Sequence, residues 1–141
     1  ILPCETKSRE FDAKLLLACF IAEKGIKAIV GAKKVIDGLA LSLPRGIYIG
    51  KSLTAKSATV LRMLRRLGYT VVAWDEEGLV WTTPELYRLT KLDSRTLKEL
   101  VGLFAWGEAN ASAIREHPGF SNVPIYLTGN PRTDLLRPEL R

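Results

Sequence analysis

Residues 46–74 read GIYIGKSLTAKSATVLRMLRRLGYTVVAW, and their pattern predicts the fold class. Two short and continuously apolar runs, 46–50 and 70–74, flank a segment at 55–67 with a different pattern. In that segment four apolar residues recur at helical spacing: Val60, Leu61, Leu64 and Leu67. A strand, an amphipathic helix and a second strand in this order predict two parallel strands joined by a crossover helix.

The same alternation continues on both sides of this stretch. Further apolar runs that read as strands occur at 1–4, 27–31, 103–106 and 123–127. Helical patterns are predicted at 9–24, 33–43, 94–102 and 108–116, and one more begins at Thr83-Pro84. Strands without polar alternation are typical of parallel sheets covered on both faces. The sequence therefore predicts the α/β class: a Rossmann-like, doubly wound parallel sheet of about six strands with helices on both faces.

Composition limits the classes of partner. The chain has 141 residues, which suits one domain, and its net charge of +6 favours anionic partners. The basic residues are not interleaved with aromatic residues in a block, so we expect no nucleic-acid binding. The cluster Arg62, Arg65 and Arg66 would permit contact with an anionic membrane surface, although a solvated helix face is the simpler interpretation. The longest apolar stretch, 15–22, is too short to span a bilayer.

Several familiar kinds of site are excluded. Cys4 and Cys19 lie in apolar runs without metal-ligand spacing, and the only histidine, His117, lies in a polar turn. Residues 50–52 read GKS, but Arg45 occupies the position where a phosphate-binding loop has its first glycine. No GxG pair occurs, so the dinucleotide fingerprint is absent. The sequence predicts neither a cofactor nor a metal site.

The densest acidic run follows the strand at 70–74. Residues 75–78 read DEEG, with Asp75, Glu76 and Glu77 in succession. A solvated acidic turn is one interpretation of such a run. The other is a catalytic loop, because crowded and partly desolvated carboxylates raise one another's pKa and can act as general bases.

Other polar segments are also predicted at the carboxyl ends of strands, where ligands bind to parallel sheets. Residues 5–10 read ETKSRE, and Ser8 is a plausible helix cap. This segment is either a solvated helix start or a cluster in which Lys7 or Arg9 pairs with a substrate anion. The candidate substrate-binding residues are Lys7, Ser8, Arg9, Lys51, Ser52, Glu108, Asn130 and Arg132.

Five stretches together resemble the bacterial surface carbohydrate (lipopolysaccharide) biosynthesis proteins, which are similar to GT-B-type glycosyltransferases. The stretches are ETKSREFDAKLLLA (5–18), IYIGKS (47–52), DEEGL (75–79), FAWGE (104–108) and TGNPRTDLLRPEL (128–140). The last stretch also resembles the segment that ends the first domain in UDP-N-acetylglucosamine 2-epimerases and Kdo transferases.

The resemblance implies one half of a GT-B fold, in which residues 1–127 form the acceptor-side domain and 128–141 a linker or tail. A second domain, absent from this sequence, would hold the nucleotide-sugar donor, so this chain alone is expected to be inactive. The implied reaction transfers a sugar to a glycan or lipid-linked acceptor in the cytoplasm, with possible contact at the inner membrane surface. By position, Glu5 and residues 75–77 are the candidate bases, and residues 128–130 form a hinge.

Two alternatives stay open beside sugar transfer. The same scaffold would suit a UDP-sugar 2-epimerase-like enzyme or a hydrolase. It would equally suit a non-catalytic binding or assembly module that kept the fold.

Overall fold

A computed structural model describes residues 1–76, 78 and 80–140 of the chain. Its strands are β1 (Leu2–Cys4), β2 (Val30–Ala32), β3 (Ile47–Gly50), β4 (Thr70–Trp74), β5 (Gly102–Ala105) and β6 (Ile125–Leu127). Its helices are α1 (Lys7–Glu23), α2 (Lys33–Gly38), α3 (Ala58–Arg66), α4 (Pro84–Lys91), α5 (Ser94–Leu97), α6 (Glu108–Arg115) and α7 (Pro131–Asp134). Short 3₁₀ turns occupy Ala55–Ser57 and Pro138–Leu140.

The described strands are all parallel, but they form two sheets. β1 pairs with β2, and a second sheet has the order β3-β4-β5-β6. The α/β class and the parallel pairing are confirmed, whereas the prediction of one sheet with about six strands is wrong. Each strand of the two-stranded sheet has only three residues and pairs with the other strand of that sheet.

The chain divides into two compact units. The first contains residues 1–44 and 130–141, and the second contains residues 45–129. The first unit therefore takes residues from both ends of the chain, and the second is continuous. The predicted domain of residues 1–127, with a linker or tail at 128–141, stays a prediction.

The second unit has its core between its sheet and the helices α3 and α6. α3 packs on β4, and α6 packs on β5 and β6. Successive side chains of a strand point to opposite faces, so residues two apart share a face. The fully buried residues on the face towards these helices are Val71 and Ala73 of β4 and Leu103 and Ala105 of β5. From α3, the predicted inward residues include Leu64, which is also buried.

An aromatic row lies on the opposite face of the same sheet. Trp74, Phe104 and Tyr126 are partners in the register of β4, β5 and β6. Their ring centroids are 5.1 Å apart for the first pair and 5.9 Å for the second. The Trp74 indole Nε1 also donates a hydrogen bond of 2.8 Å to the carbonyl of Gly129. This bond fixes the segment after β6 against the end of β4.

The first unit is organised around α1. The cap residue of α1 is Thr6, so the prediction that Ser8 caps this helix is wrong: the helix starts two residues earlier than its apolar pattern indicates. Gly25 follows the helix with φ of +73°, a conformation that favours glycine. α1 packs against α7, and the Asn130 side chain caps α7 by accepting a hydrogen bond of 3.0 Å from the Arg132 amide.

Two further helix starts lie in the second unit. Thr83 caps α4 as predicted, because its hydroxyl accepts a hydrogen bond of 3.2 Å from the Leu86 amide. Asp93, not Ser94, caps α5, and its carboxylate accepts from the amides of Arg95 and Thr96. A carboxylate is as good a cap as a hydroxyl and also interacts favourably with the helix dipole.

Candidate functional site

The loops that follow the four strands of the second unit begin at one edge of its sheet, because parallel strands share a carboxyl edge. Several hydrogen bonds connect these loops to one another and to the strand ends. The Glu76 amide donates to the Lys51 carbonyl over 3.1 Å, and the Trp106 indole donates to the Asp75 carbonyl over 2.6 Å. Another is the bond from Trp74 to Gly129 described above. The sequence predicts that these loops and residues 5–9 gather at one edge of a single sheet. The loops after β3, β4 and β5 do meet within the second unit, whereas residues 5–9 follow β1, which belongs to the other sheet.

Asp75 and Glu76 are buried at this edge. Asp75 is 4% exposed and Glu76 is 7% exposed, so neither belongs to a solvated acidic turn. The Asp75 carboxylate accepts a hydrogen bond of 2.7 Å from the hydroxyl of Tyr87, which lies on α4 and is fully buried. Burying a carboxylate is costly unless it is hydrogen-bonded, and Tyr87 supplies such a bond. Glu77 lies outside the described residues.

Tyr87 is held in its neutral form by this environment. Burial raises the pKa of Tyr87 well above its ordinary value, and the negative charge and hydrogen bond of Asp75 raise it further. Asn110 lies close enough to the Tyr87 hydroxyl to lower that pKa slightly, but its Nδ2 atom makes no hydrogen bond of normal geometry to any described residue. Its Oδ1 atom accepts a hydrogen bond from the Trp106 amide. Asn110 thus brings a buried amide group close to the Tyr87 hydroxyl.

Gly78 closes the turn after Asp75 by donating its amide to the Asp75 carbonyl over 3.1 Å. A Cβ atom at Gly78 would come within 2.5 Å of the Trp106 ring and 3.2 Å of the Asn110 side chain. Trp81 donates its indole N–H to the Gly78 carbonyl, and its ring packs 5.5 Å from the ring of Tyr87. We call Asp75, Gly78, Tyr87, Trp106 and Asn110 the Asp75 cluster.

The other predicted site residues of the second unit are Lys51, Ser52 and Glu108. The Ser52 hydroxyl lies 3.0 Å from the Thr54 hydroxyl and also accepts from the Thr54 amide. The Glu108 carboxylate is exposed at the start of α6 and accepts a hydrogen bond of 2.6 Å from Arg115 on the same helix. Lys51 is partly buried, and its carbonyl holds the Glu76 amide.

The remaining predicted site residues belong to the first unit. Glu5, Lys7, Ser8 and Arg9 are exposed around the start of α1, and Arg132 is partly buried on α7. The buried side chain in this segment belongs instead to Glu10, which accepts a hydrogen bond of 2.8 Å from the Glu5 amide and lies 3.8 Å from the Arg9 guanidinium. Asn130 is 2% exposed and is fixed as the cap of α7.

The buried polar residues that sequence reasoning missed include Glu10, Lys14, Tyr87 and Asn110. Glu10 lies within the quoted segment 5–10, and its spacing of four from Lys14 on one helix was an available signal. Tyr87 and Asn110 carry no such signal. The sequence does not indicate which strand end these two side chains approach, because each lies on a helix whose position depends on contacts distant in sequence.

No group of three or more histidine, cysteine, aspartate or glutamate side chains within residues 1–76, 78 and 80–140 is arranged to hold a metal ion. Over the same part of the chain, no helix combines the length and the apolar character that crossing a membrane requires. Comparison with protein-family models, with curated proteins and with solved structures finds no match to this chain. The candidate site therefore rests on its geometry.

Replacing Tyr87 with phenylalanine is expected to lower the free energy of unfolding by about 2 kcal/mol, because the buried Asp75 carboxylate loses a donor. The pH dependence should change as well. Above pH 10, the ordinary pKa of tyrosine, the unfolded chain loses the Tyr87 proton while the folded protein keeps it. Stability therefore falls with rising pH by up to about 1.4 kcal/mol per pH unit, and Tyr87→Phe lacks this contribution.

Urea unfolding at neutral pH and at a series of alkaline pH values measures both effects. Tyr126→Phe is the matched control, because Tyr126 is 53% exposed on the edge strand β6. Equal stability losses and equal alkaline slopes for the two variants would contradict the assignment of the buried bond to Tyr87.

Proposed function

We propose that this chain is the Rossmann-like, acceptor-side domain of a glycosyltransferase of the GT-B type, acting in the assembly of bacterial surface polysaccharide. The proposal starts from the resemblance of five sequence stretches to that group of proteins. The confirmed α/β class and the parallel strands of the second unit are compatible with it.

The observation that carries the proposal is the burial of Asp75 and Glu76 at the carboxyl end of β4. β4 is an inner strand of the four-stranded sheet, with β3 and β5 on either side. In parallel α/β sheets this edge is where ligands bind. Two adjacent carboxylates removed from water at such an edge are costly for folding, and residues of this kind concentrate at functional sites.

The chemistry we propose needs one carboxylate as a general base. It would take the proton from an acceptor hydroxyl, whose oxygen then attacks the anomeric carbon of the donor sugar while the nucleoside diphosphate leaves. Glu76, which is buried next to Asp75, is the candidate base that we test first, and Asp75, whose carboxylate accepts the Tyr87 hydroxyl, is a second candidate. Glu77 and Glu5 are retained as further candidates.

The partners follow from this chemistry. The acceptor is a glycan or a lipid-linked sugar, and the nucleotide-sugar donor would be held by a further domain. Lys51, Ser52 and Glu108 are the proposed acceptor contacts in the second unit. Lys7, Ser8, Arg9, Asn130 and Arg132 are the corresponding proposals in the first unit. We place the protein in the cytoplasm, with peripheral contact at the inner membrane.

Incubation of the complete gene product with a panel of nucleotide-sugars tests the proposal. Nucleotide release is measured by chromatography with and without a lipid extract that contains lipid-linked acceptors. We expect release of nucleoside diphosphate only when the acceptor is present.

Two other results would overturn the proposal. Conversion of the donor to its epimer without an acceptor would identify a sugar-nucleotide epimerase. Binding of the glycan without turnover of any donor would identify a non-catalytic module.

A further inference from the structure

A second polar site lies on the exposed side of α3. None of its residues belongs to the Asp75 cluster. A surface cavity of about 420 Å³ at this site is lined by Arg62, Arg65 and Arg66 together with Glu99. We call the three arginines the arginine cluster. Three guanidinium groups against one carboxylate leave the cavity lining with a surplus of two positive charges. The exposed Lys98 follows directly after α5, next to Glu99 in the chain.

Two of the three guanidinium groups are held in place. The Nε atom of Arg62 donates a hydrogen bond of 2.9 Å to the Glu99 carboxylate. A terminal nitrogen of Arg65 donates a hydrogen bond of 3.1 Å to the Lys98 carbonyl. Each bond uses one of the five N–H donors that a guanidinium carries. The orientation of both groups is therefore fixed while most of their donors stay available for a ligand.

The third guanidinium group is held by nothing in the described part of the chain. Arg66 makes no hydrogen bond and no ion pair with any residue that the structure describes. It is exposed in the last turn of α3, one helical turn from Arg62. An arginine in the last turn of a helix interacts favourably with the helix dipole. Three like charges on one helix face nevertheless repel one another. An anionic ligand would remove that repulsion.

We propose that the arginine cluster binds a phosphate group. Planar guanidinium groups bind phosphate oxygens through paired hydrogen bonds, and arginine is the preferred residue for this recognition. Glu99 opposes the anion and orients Arg62, so it limits affinity while it shapes the site. The phosphate can belong to a soluble phosphate ester or to the headgroup of an anionic lipid. The proposal concerns the second unit alone and does not depend on the proposed sugar transfer.

Inorganic pyrophosphate is the probe for the soluble form. Titration of the protein with pyrophosphate, followed by nuclear magnetic resonance of the arginine Nε–H groups, is expected to shift the signals of the arginine cluster. Arg66→Gln should weaken binding by about ten-fold or more, because a charge-assisted bond is lost. Glu99→Gln should strengthen it. Arg66→Gln breaks no contact within the described residues, and thermal unfolding checks that the variant is folded.

Arg115→Gln is the matched control, because it removes the same charge from another exposed arginine, which lies on α6. It should leave pyrophosphate binding unchanged within about two-fold. An equal loss in Arg66→Gln and Arg115→Gln would overturn the proposal, since net charge alone would then explain binding. No shift at the arginine cluster up to about 10 mM pyrophosphate would also overturn it.

Vesicles distinguish the two sources of phosphate. Co-sedimentation is compared for vesicles of phosphatidylcholine alone and of phosphatidylcholine with phosphatidylglycerol. Binding to the anionic vesicles that is lost in Arg66→Gln and displaced by pyrophosphate assigns the site to lipid headgroups. Pyrophosphate binding without vesicle binding assigns it to soluble phosphate esters.

Discussion

Replacing Glu76 with glutamine is expected to lower the rate of sugar transfer by about 100-fold or more, because a general base contributes at least this factor. Glu76 is 7% exposed and follows Asp75 at the carboxyl end of β4. Glutamine has nearly the same shape but cannot accept a proton from the acceptor. The measurement is acceptor-dependent nucleotide release by the complete gene product.

The control for this variant is Glu85→Gln, which makes the same chemical change at the start of α4. The Glu85 side chain is 68% exposed and pairs with Arg88. We expect the activity of this variant to stay within a few-fold of the unchanged protein. A Glu76→Gln variant that keeps the same activity would remove Glu76 as the base.

Replacing Asp75 with asparagine distinguishes a structural role in this loop from a role in proton transfer. Asp75 accepts the Tyr87 hydroxyl, so this variant should lose stability as well as activity. Glu76→Gln, by contrast, is expected to act mainly on the rate. Urea unfolding of both variants beside the activity assay makes this distinction.

Replacing Gly78 with alanine is expected to lower the free energy of unfolding by about 3 kcal/mol, because the site is overpacked. The added Cβ atom would lie 2.5 Å from one atom of the Trp106 ring and 2.7 Å from its Nε1 atom. The indole is held by its bond to the Asp75 carbonyl, so it cannot move aside without losing that bond. The expected fall in Tm is on the order of 10 °C.

Gly46→Ala is the matched control in the same unit. A Cβ atom there would meet nothing within 4 Å, and the Gly46 carbonyl keeps its bond from the Thr70 amide. Its stability should be unchanged or slightly higher, since alanine restricts the unfolded chain. If both glycine variants had the same Tm, the close packing of Gly78 on Trp106 would be contradicted.

The strands of the second unit were predicted well because their apolar runs are bounded by glycine and polar residues. The predicted strand at 70–74 coincides with β4, and the predicted strand at 46–50 differs from β3 by one residue. β2 (Val30–Ala32) is displaced towards the C-terminus relative to the strand predicted at 27–31. α2 (Lys33–Gly38) is shorter than the helix predicted at 33–43. Apolar residues continue past the real ends there, so periodicity alone does not locate the boundary.

The division into two sheets was not predictable from the alternation of elements. Alternation indicates that strands are parallel, but pairing partners depend on contacts distant in sequence. The position of Asp75, Glu76 and Gly78 after the carboxyl end of β4 followed from the order of elements and is confirmed. The burial of Asp75 and Glu76 depends on Tyr87 and Trp106, which approach from other elements, so sequence alone left the solvated turn open.

The first unit draws on both ends of the chain, and this has a consequence during synthesis on the ribosome. α1 emerges early, whereas its packing partner α7 emerges only after all of residues 45–129. The continuous middle segment can therefore fold first, while α1 still lacks its packing partner α7. Nascent chains arrested within residues 45–129 should therefore be more prone to capture by chaperones than chains that include α7.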